Sequence, residues 1–102
     1  MQLNSKQIAH LRGLAHTLNP VVMIGNNGLT ESVLKEIDLN LNAHELIKVQ
    51  VSGDDRTLRK AMLDEIASKV NAVVVHHIGK QLVFYRASDT VKASAKIVIP
   101  KL

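Results

Sequence analysis

The sequence predicts a small α/β domain in which helices pack on a four-stranded mixed β-sheet. Three observations carry this prediction: β-branched runs of strand length, apolar residues at helical spacing between them, and a chain of 102 residues. That length supports one hydrophobic core, so residues 1–102 are expected to form a single domain. The element order α-β-α-β-α-β-β makes the first strands parallel, because a helix crosses between them, and ends in an antiparallel hairpin.

The first helix is predicted by apolar residues that recur every three or four positions from Ile8 to Leu18. Asn4 or Ser5 can cap its start, and Asn19-Pro20 ends it because the residue before a proline avoids the helical conformation. The other side of this helix is polar and cationic, with Lys6, His10, Arg12 and His16. This side is either an ordinary solvated surface or a surface that faces phosphate.

A Gly-x-x-Gly loop, Gly25-Asn26-Asn27-Gly28, connects a short strand, Val21–Ile24, to a second helix that Thr30 caps and that ends near Ala43. Two glycines let a ligand approach the backbone closely, and the N–H groups at a helix start attract anions. The loop is therefore either a tight connection or a phosphate-binding turn. The loop is not a P-loop, because Leu29 and not a lysine follows the last glycine. It is not the dinucleotide-binding fingerprint either, because the third glycine of that motif is missing.

The second strand, Leu46–Val51, alternates apolar residues with polar ones such as Lys48, which predicts that one of its faces is exposed. Asp54 or Asp55 caps a third helix that runs to about Asn71. Its inward positions are predicted to be Leu58, Met62, Leu63, Ile66, Ala67 and Val70. Its cations, Arg56, Arg59 and Lys60, lie near its start and belong either to a solvated face or to a ligand contact.

Two apolar segments, Ala72–Ile78 and Leu82–Tyr85, form a β-hairpin around Gly79-Lys80. His76 and His77 are neighbours in a strand, so they point to opposite faces and cannot bind one metal ion together. The remaining tail, residues 87–102, is expected to lie extended along the domain and to add positive charge.

Composition and charge limit the kinds of function that we expect for this chain. The chain has 13 Lys and Arg against 9 Asp and Glu, and its net charge of +4 favours a polyanionic partner. It has no cysteine and no zinc-ligand spacing, so no cofactor and no metal are expected. Because no signal peptide and no apolar run of ~20 residues is present, we expect a cytoplasmic protein without a membrane partner. No Ser-His-Asp order or carboxylate pair stands out, and we do not expect an enzyme.

Four segments together resemble a known family: KQIAHLRGLAH, PVVMIGNNGLTESVL, HELIKVQV and VVHHIGKQLVFYR. In this order they are similar to the YhbY-type, stand-alone CRM-domain proteins (chloroplast RNA splicing and ribosome maturation), and they cover most of the chain up to Arg86. The resemblance implies RNA binding, a fold similar to the C-terminal domain of translation initiation factor three, and a loop analogous to that of KH domains. Bacterial members of the family are associated with precursors of the large ribosomal subunit.

The resemblance also implies the residues that contact RNA. They are the loop residues Gly25, Asn26, Asn27 and Gly28 and the first-helix cations Lys6 and Arg12. Lys48 and Arg86 complete the set of candidate RNA contacts. Family members often carry a Lys or Arg inside the loop, whereas both central positions here are Asn. A larger share of the RNA affinity is therefore expected from Lys6, Arg12 and Lys48. Arg86 is either a phosphate contact or part of a salt bridge at a strand end.

The expected function is therefore RNA binding in ribosome assembly, by contact with ribosomal RNA of large-subunit precursors. Phe84 and Tyr85 are the only aromatic residues, too few for a platform that stacks bases, so backbone and charge are expected to dominate binding. We expect a monomer with no small-molecule substrate. Two other function classes are a protein-protein adaptor that uses the acidic second helix and a small nucleotide-binding enzyme.

Overall fold

The computed structural model describes residues 2–102, which form three α-helices and one four-stranded sheet. The helices are α1 (Ser5–Ala15), α2 (Glu31–His44) and α3 (Arg56–Lys69). The strands are β1 (Val22–Ile24), β2 (Leu46–Val51), β3 (Val73–Ile78) and β4 (Gln81–Tyr85). Their order in the sheet is β1-β2-β4-β3, with β1 parallel to β2 and with β4 antiparallel to both of its neighbours. The predicted α/β fold with a mixed sheet is confirmed.

Both faces of the sheet are covered. α2 and α3 cover one face, where the core includes Leu41, Ile66 and Phe84. α1 covers the other, which we call the α1 face, and buries Leu11 and Ala15 there. Both clusters bury many apolar side chains, so burial of apolar surface is the main force that holds the helices on the sheet.

Side-chain caps fix where the helices begin. Asn4, Thr30 and Asp55 each accept a hydrogen bond from the backbone N–H three residues further on, at 2.8, 3.2 and 3.0 Å. Of the alternatives that the sequence leaves open, Asn4 and Asp55 are the caps rather than Ser5 and Asp54. No helix in residues 2–102 is long and apolar enough to cross a membrane.

The first helix is shorter than predicted, because α1 ends at Ala15 rather than at Asn19. The N–H of Leu18 donates to the carbonyl of Ala15 at 3.0 Å and closes a final turn outside the helix. Leu14 and Leu18, both predicted to face the core, are 42% and 37% exposed. They border an open apolar groove instead of packing in the core.

Two further exposure predictions are wrong. Lys48 is only 8% exposed, because β2 is an inner strand whose polar face is covered by α1. On α3, Leu58 is 52% exposed and Arg59 takes the buried position beside it. The Nη1 of Arg59 donates to the carbonyl of Gly53 at 3.3 Å, which satisfies part of the buried guanidinium.

β3 is an edge strand with a β-bulge. Its pairing with β4 shifts by one residue between Val74 and His76, so Val75 is the extra residue. The Nε of Arg12 donates to the carbonyl of Val75 at 2.9 Å. As predicted, the histidines of β3 lie on opposite faces, since His76 pairs with Val83 of the α1 face and His77 pairs with Leu82.

A buried carboxylate, that of Glu45 at the end of α2, holds the start of the tail, while Asn4 and Gln7 donate to the carbonyls of Leu102 and Pro100 at its end. The Oε2 of Glu45 accepts from the Ser88 N–H at 2.7 Å and from the Lys96 Nζ at 3.0 Å, and its Oε1 accepts from the Ile97 N–H at 2.8 Å. Glu45 has a φ of 65°, a conformation that glycine adopts more easily, so these bonds offset backbone strain. Beyond them, Ile97 and Ile99 pack against the apolar cluster of the α1 face.

Candidate nucleic-acid interface

The Gly-x-x-Gly loop is a β-turn at the carboxyl end of β1. The Gly28 N–H donates to the Gly25 carbonyl at 3.0 Å, and Gly28 has a φ of +71°, so the turn itself requires this glycine. Gly25 has no such conformation, and a Cβ built there would meet no atom within 4 Å. The fold does not require a glycine at position 25. Because Gly25 has no side chain, a ligand can reach the backbone of the loop there.

The loop leads directly into the start of α2. Asn26 and Asn27 are exposed and their side chains make no hydrogen bond with other residues of the 2–102 range. Thr30 caps the Val33 N–H, while the first amides of a helix have no partner within the helix. Exposed amides and the positive end of the helix dipole make this surface suitable for a phosphate group.

Among the predicted cations, the structure brings Arg12 and Lys48 together. Both border one groove between α1 and the sheet, and His76 lies beside them. Burial lowers the pKa of His76, and the positive charges of Arg12 and Lys48 lower this pKa further. His76 is the residue that sequence analysis did not single out, although its place in the predicted hairpin put it next to Val83 across the sheet.

Lys6 lies apart from this pair. It is exposed, and it precedes Arg12 by six residues, which places the two side chains about 120° apart around an α-helix. The two side chains therefore leave α1 in different directions, and Lys6 adds to the charge of the outer surface of α1.

Arg86 is bound within the protein, as in the salt-bridge alternative. Its Nη1 donates to Asp38 Oδ1 and to the Val70 carbonyl, both at 2.7 Å, and its Nη2 donates to Asn42 Oδ1 at 2.9 Å. It also lies at the opposite end of the sheet from the loop, since β4 runs antiparallel to β2 and the two ends of β2 are roughly 17 Å apart. The observed role of Arg86 is to tie the ends of α2 and α3 to β4.

A second group of cations lies across the edge strand β3, and the groove that it borders is also lined by Arg12 and His76. Arg56, Lys60 and His77 border a shallow groove there, and the pKa of His77 is lowered first by burial and then by Arg56 and Arg59. Lys60 is paired with Asp64 at 3.4 Å. Within residues 2–102 no group of three or more His, Cys, Asp or Glu side chains is placed to hold a metal ion.

The family assignment follows from comparison of the whole chain. The model of the CRS1/YhbY (CRM) domain matches residues 3–86. This chain belongs to the CRS1/YhbY (CRM) domain family. The resemblance inferred from the four sequence segments is thereby confirmed, and the tail of this CRM chain, residues 87–102, lies outside the matched region.

Similar proteins carry RNA-binding names. The CRM chain is 50% identical over 99 residues to an RNA-binding protein of Haemophilus influenzae, a match that covers 97% of this chain and 96% of that protein. It is 41% identical over 86 residues to a protein of Pseudomonas aeruginosa named a probable RNA-binding protein, covering 84% of this chain and 83% of the other. A solution structure of a Staphylococcus aureus protein, described as a candidate RNA-binding protein, aligns with a TM-score of 0.82 at 34% identity and covers 97% of this chain and 100% of that one.

The two cations of α1 are expected to differ in their effect on stability. Lys6→Ala should leave the free energy of unfolding nearly unchanged, because the side chain is exposed and unpaired within residues 2–102. Arg12→Ala should lower it by about 1 kcal/mol, because the Val75 carbonyl at the bulge loses its donor. Urea unfolding of both variants measures the difference, and equal midpoints would show that the Arg12 bond contributes nothing in solution.

Proposed function

We propose that this chain is an RNA-binding protein of ribosome assembly that contacts ribosomal RNA of large-subunit precursors. The observation that carries the proposal is the loop: an exposed Gly-x-x-Gly turn with an unobstructed Gly25, set at the positive end of α2 in a chain of the CRM family. The RNA-binding names of the similar proteins support the class of partner. The protein is proposed to act in the cytoplasm as a monomer.

The contacts proposed for RNA are to its phosphates. Loop amides and the start of α2 bind one phosphate, while Arg12, Lys48 and Lys6 neutralise others. Phe84 and Tyr85, the only aromatic residues, are buried in the two cores and cannot stack on bases. Binding by charge and backbone without a stacking surface gives weak sequence specificity, so the RNA is selected by its shape or by the assembly in which it lies.

The other two function classes have less support. An adaptor would use the acidic side of α2, but Asp38 on that side is already paired with Arg86 at 2.7 Å. For a small nucleotide-binding enzyme, the loop lacks the lysine that follows the last glycine of a P-loop.

Crosslinking the protein to RNA in living cells and sequencing the attached RNA tests the proposal. We expect enrichment of ribosomal RNA from large-subunit precursors over mature ribosomal RNA and messenger RNA. An adaptor would give no enriched RNA, and an enzyme would turn over a nucleotide in the absence of RNA. Enrichment of messenger RNA alone would retain RNA binding and contradict the role in ribosome assembly.

The salt dependence of binding is a separate prediction. If phosphate contacts dominate, a plot of log affinity against log salt concentration should be linear, with a slope of roughly −0.7 for each phosphate contacted on single-stranded RNA. Titrations of a labelled ribosomal RNA fragment at several salt concentrations give this slope. An affinity that does not respond to ionic strength would contradict a phosphate-based interface.

A further inference from the structure

The groove between α1 and the sheet is a positively charged concave surface that brings together two of the predicted cations, Arg12 and Lys48. We call it the α1 groove; it has a volume of about 450 Å³ and is lined in part by Arg12, Gly13, His16, Lys48, His76 and Gln81. No Asp or Glu is among its lining residues. Its size is within the range of pockets that hold small organic ligands, and its lining attracts anions.

Lys48 is buried in this groove without an anionic partner. Its side chain is 8% exposed, and its ammonium makes no hydrogen bond or ion pair with any residue from 2 to 102. All five ion pairs of the described chain involve other cations. The ammonium of Lys48 is therefore free to bind an anion in the groove.

Gly13 gives an independent indication. It lies inside α1, where glycine is less favourable than alanine, and its φ is not in the left-handed region. A Cβ at position 13 would meet no atom of the protein within 4 Å. Neither the conformation nor the packing of the chain requires a glycine here, but a ligand in the groove could approach the backbone of α1 closely because of it.

We propose that the α1 groove is a second phosphate-binding site that takes one nucleotide unit of the RNA, with its phosphate between Lys48 and Arg12. This inference rests on the proposed RNA binding and adds a contact that is separate from the Gly-x-x-Gly loop. An RNA phosphodiester and a free nucleoside monophosphate share the chemistry that the groove recognises. The experiment below therefore tests both sources.

His76 reports whether the groove is occupied. Burial, Arg12 and Lys48 hold the pKa of its imidazole below the ordinary value, and His16 is the other titratable group that lines the groove. A phosphate bound beside Lys48 brings negative charge close to the imidazole and favours its protonated form. Occupation of the groove should therefore raise the pKa of His76, which NMR measures at this single residue.

The variants are Lys48→Gln and Gly13→Ala, each titrated with a single-stranded fragment of ribosomal RNA. Lys48→Gln should weaken binding by about tenfold and make the salt slope shallower by roughly 0.7, because one charged phosphate contact is lost. Gly13→Ala should raise the melting temperature, because alanine favours the helix, and should nevertheless weaken RNA binding. A purely structural role of Gly13 would give the higher melting temperature at unchanged affinity.

Two controls test the loss of charge and the gain of helix propensity away from the groove. Lys35→Gln removes one charge from an exposed position of α2, and Ser68→Ala adds helix propensity at an exposed position of α3. Both should bind RNA like wild type. If Lys35→Gln weakens binding as much as Lys48→Gln, net charge rather than the groove explains the loss, and the proposal is wrong.

The NMR titrations separate the possible ligands. RNA should raise the pKa of His76 in wild type and leave it unchanged in Lys48→Gln. If adenosine monophosphate raises this pKa and RNA does not, the groove belongs to a free nucleotide and the proposed RNA contact is overturned. If wild type binds RNA and both variants bind equally well, the groove is not part of the interface while RNA binding stands. Failure of wild type to bind any RNA would instead overturn the proposed function.

Discussion

Replacing Asn26 and Asn27 together by Asp is expected to lower the affinity for RNA by at least tenfold, about 1.4 kcal/mol. Both side chains are exposed and Asp tolerates turn conformations about as well as Asn, so the stability of the fold should not change. If a phosphate binds the loop and the start of α2, two new negative charges repel it, and the Asp side chains compete for the free helix amides. RNA titration and thermal unfolding of the same variant measure both quantities.

A control variant separates the position of the new charges from their number. Ser68→Asp with Asn71→Asp adds the same two charges at the far end of α3, near Val70 and Arg86. This control should bind RNA nearly as wild type does and should still sediment with large-subunit precursors, whereas the loop variant should not. A loop variant that binds and sediments like the parent would reduce the loop to a connection and leave the interface to Lys6, Arg12 and Lys48.

Glu45→Ala is expected to destabilise the fold by about 3 kcal/mol and to release the tail from the α1 face. The substitution removes the acceptor of the Ser88 and Ile97 N–H groups and the partner of Lys96, and buried donors left without acceptors are strongly unfavourable. Urea unfolding measures the loss, and protease cleavage after Lys92 or Lys96 measures release of the tail. Glu65→Ala, which breaks only an exposed pair with Lys69, should cost less than about 1 kcal/mol.

The buried carboxylate of Glu45 also makes the stability of the fold depend on pH. Burial would raise the pKa of Glu45, but the hydrogen bonds from Ile97, Ser88 and Lys96 outweigh burial and lower it below 4.5, the ordinary value. A lowered pKa in the folded state means that the stabilisation is present above the ordinary value and is lost as pH falls through the lower, folded-state value. Glu45→Gln should therefore lose less stability than wild type on acidification below pH 4.5. Parallel acid-unfolding curves for the two proteins would contradict this assignment.

Local signals predicted most of the fold. The cap at Thr30 and the bounds of β2 depend on a few neighbouring residues, so the sequence alone places them. For the starts of α1 and α3, the sequence limits the cap to two adjacent residues each. The exposure of Lys48 was mispredicted because it depends on which strands are inner and on what α1 covers.

Long-range contacts account for what the sequence could not show about the site. The side-chain partners of Arg86, Asp38 and Asn42, lie more than 40 residues away on α2, so alternation and charge alone could not choose between a salt bridge and a phosphate contact. The role of Glu45 depends on contacts with a tail that folds back 43 to 52 residues later, which no local pattern indicates. The loop was recognisable, because a Gly-x-x-Gly between strand and helix is a local pattern.

The two edges of the sheet also limit how copies of this protein can associate. An edge strand exposes unpaired backbone groups that another chain can extend into a continuous sheet, which is a common route to aggregation. At one edge, β1 is only three residues long. At the other edge, the bulge distorts β3, and Arg12 donates a hydrogen bond to the carbonyl of Val75. A second molecule therefore finds no long, regular edge to extend, and the Arg12 side chain protects against intermolecular β-pairing in addition to any contact it makes with RNA.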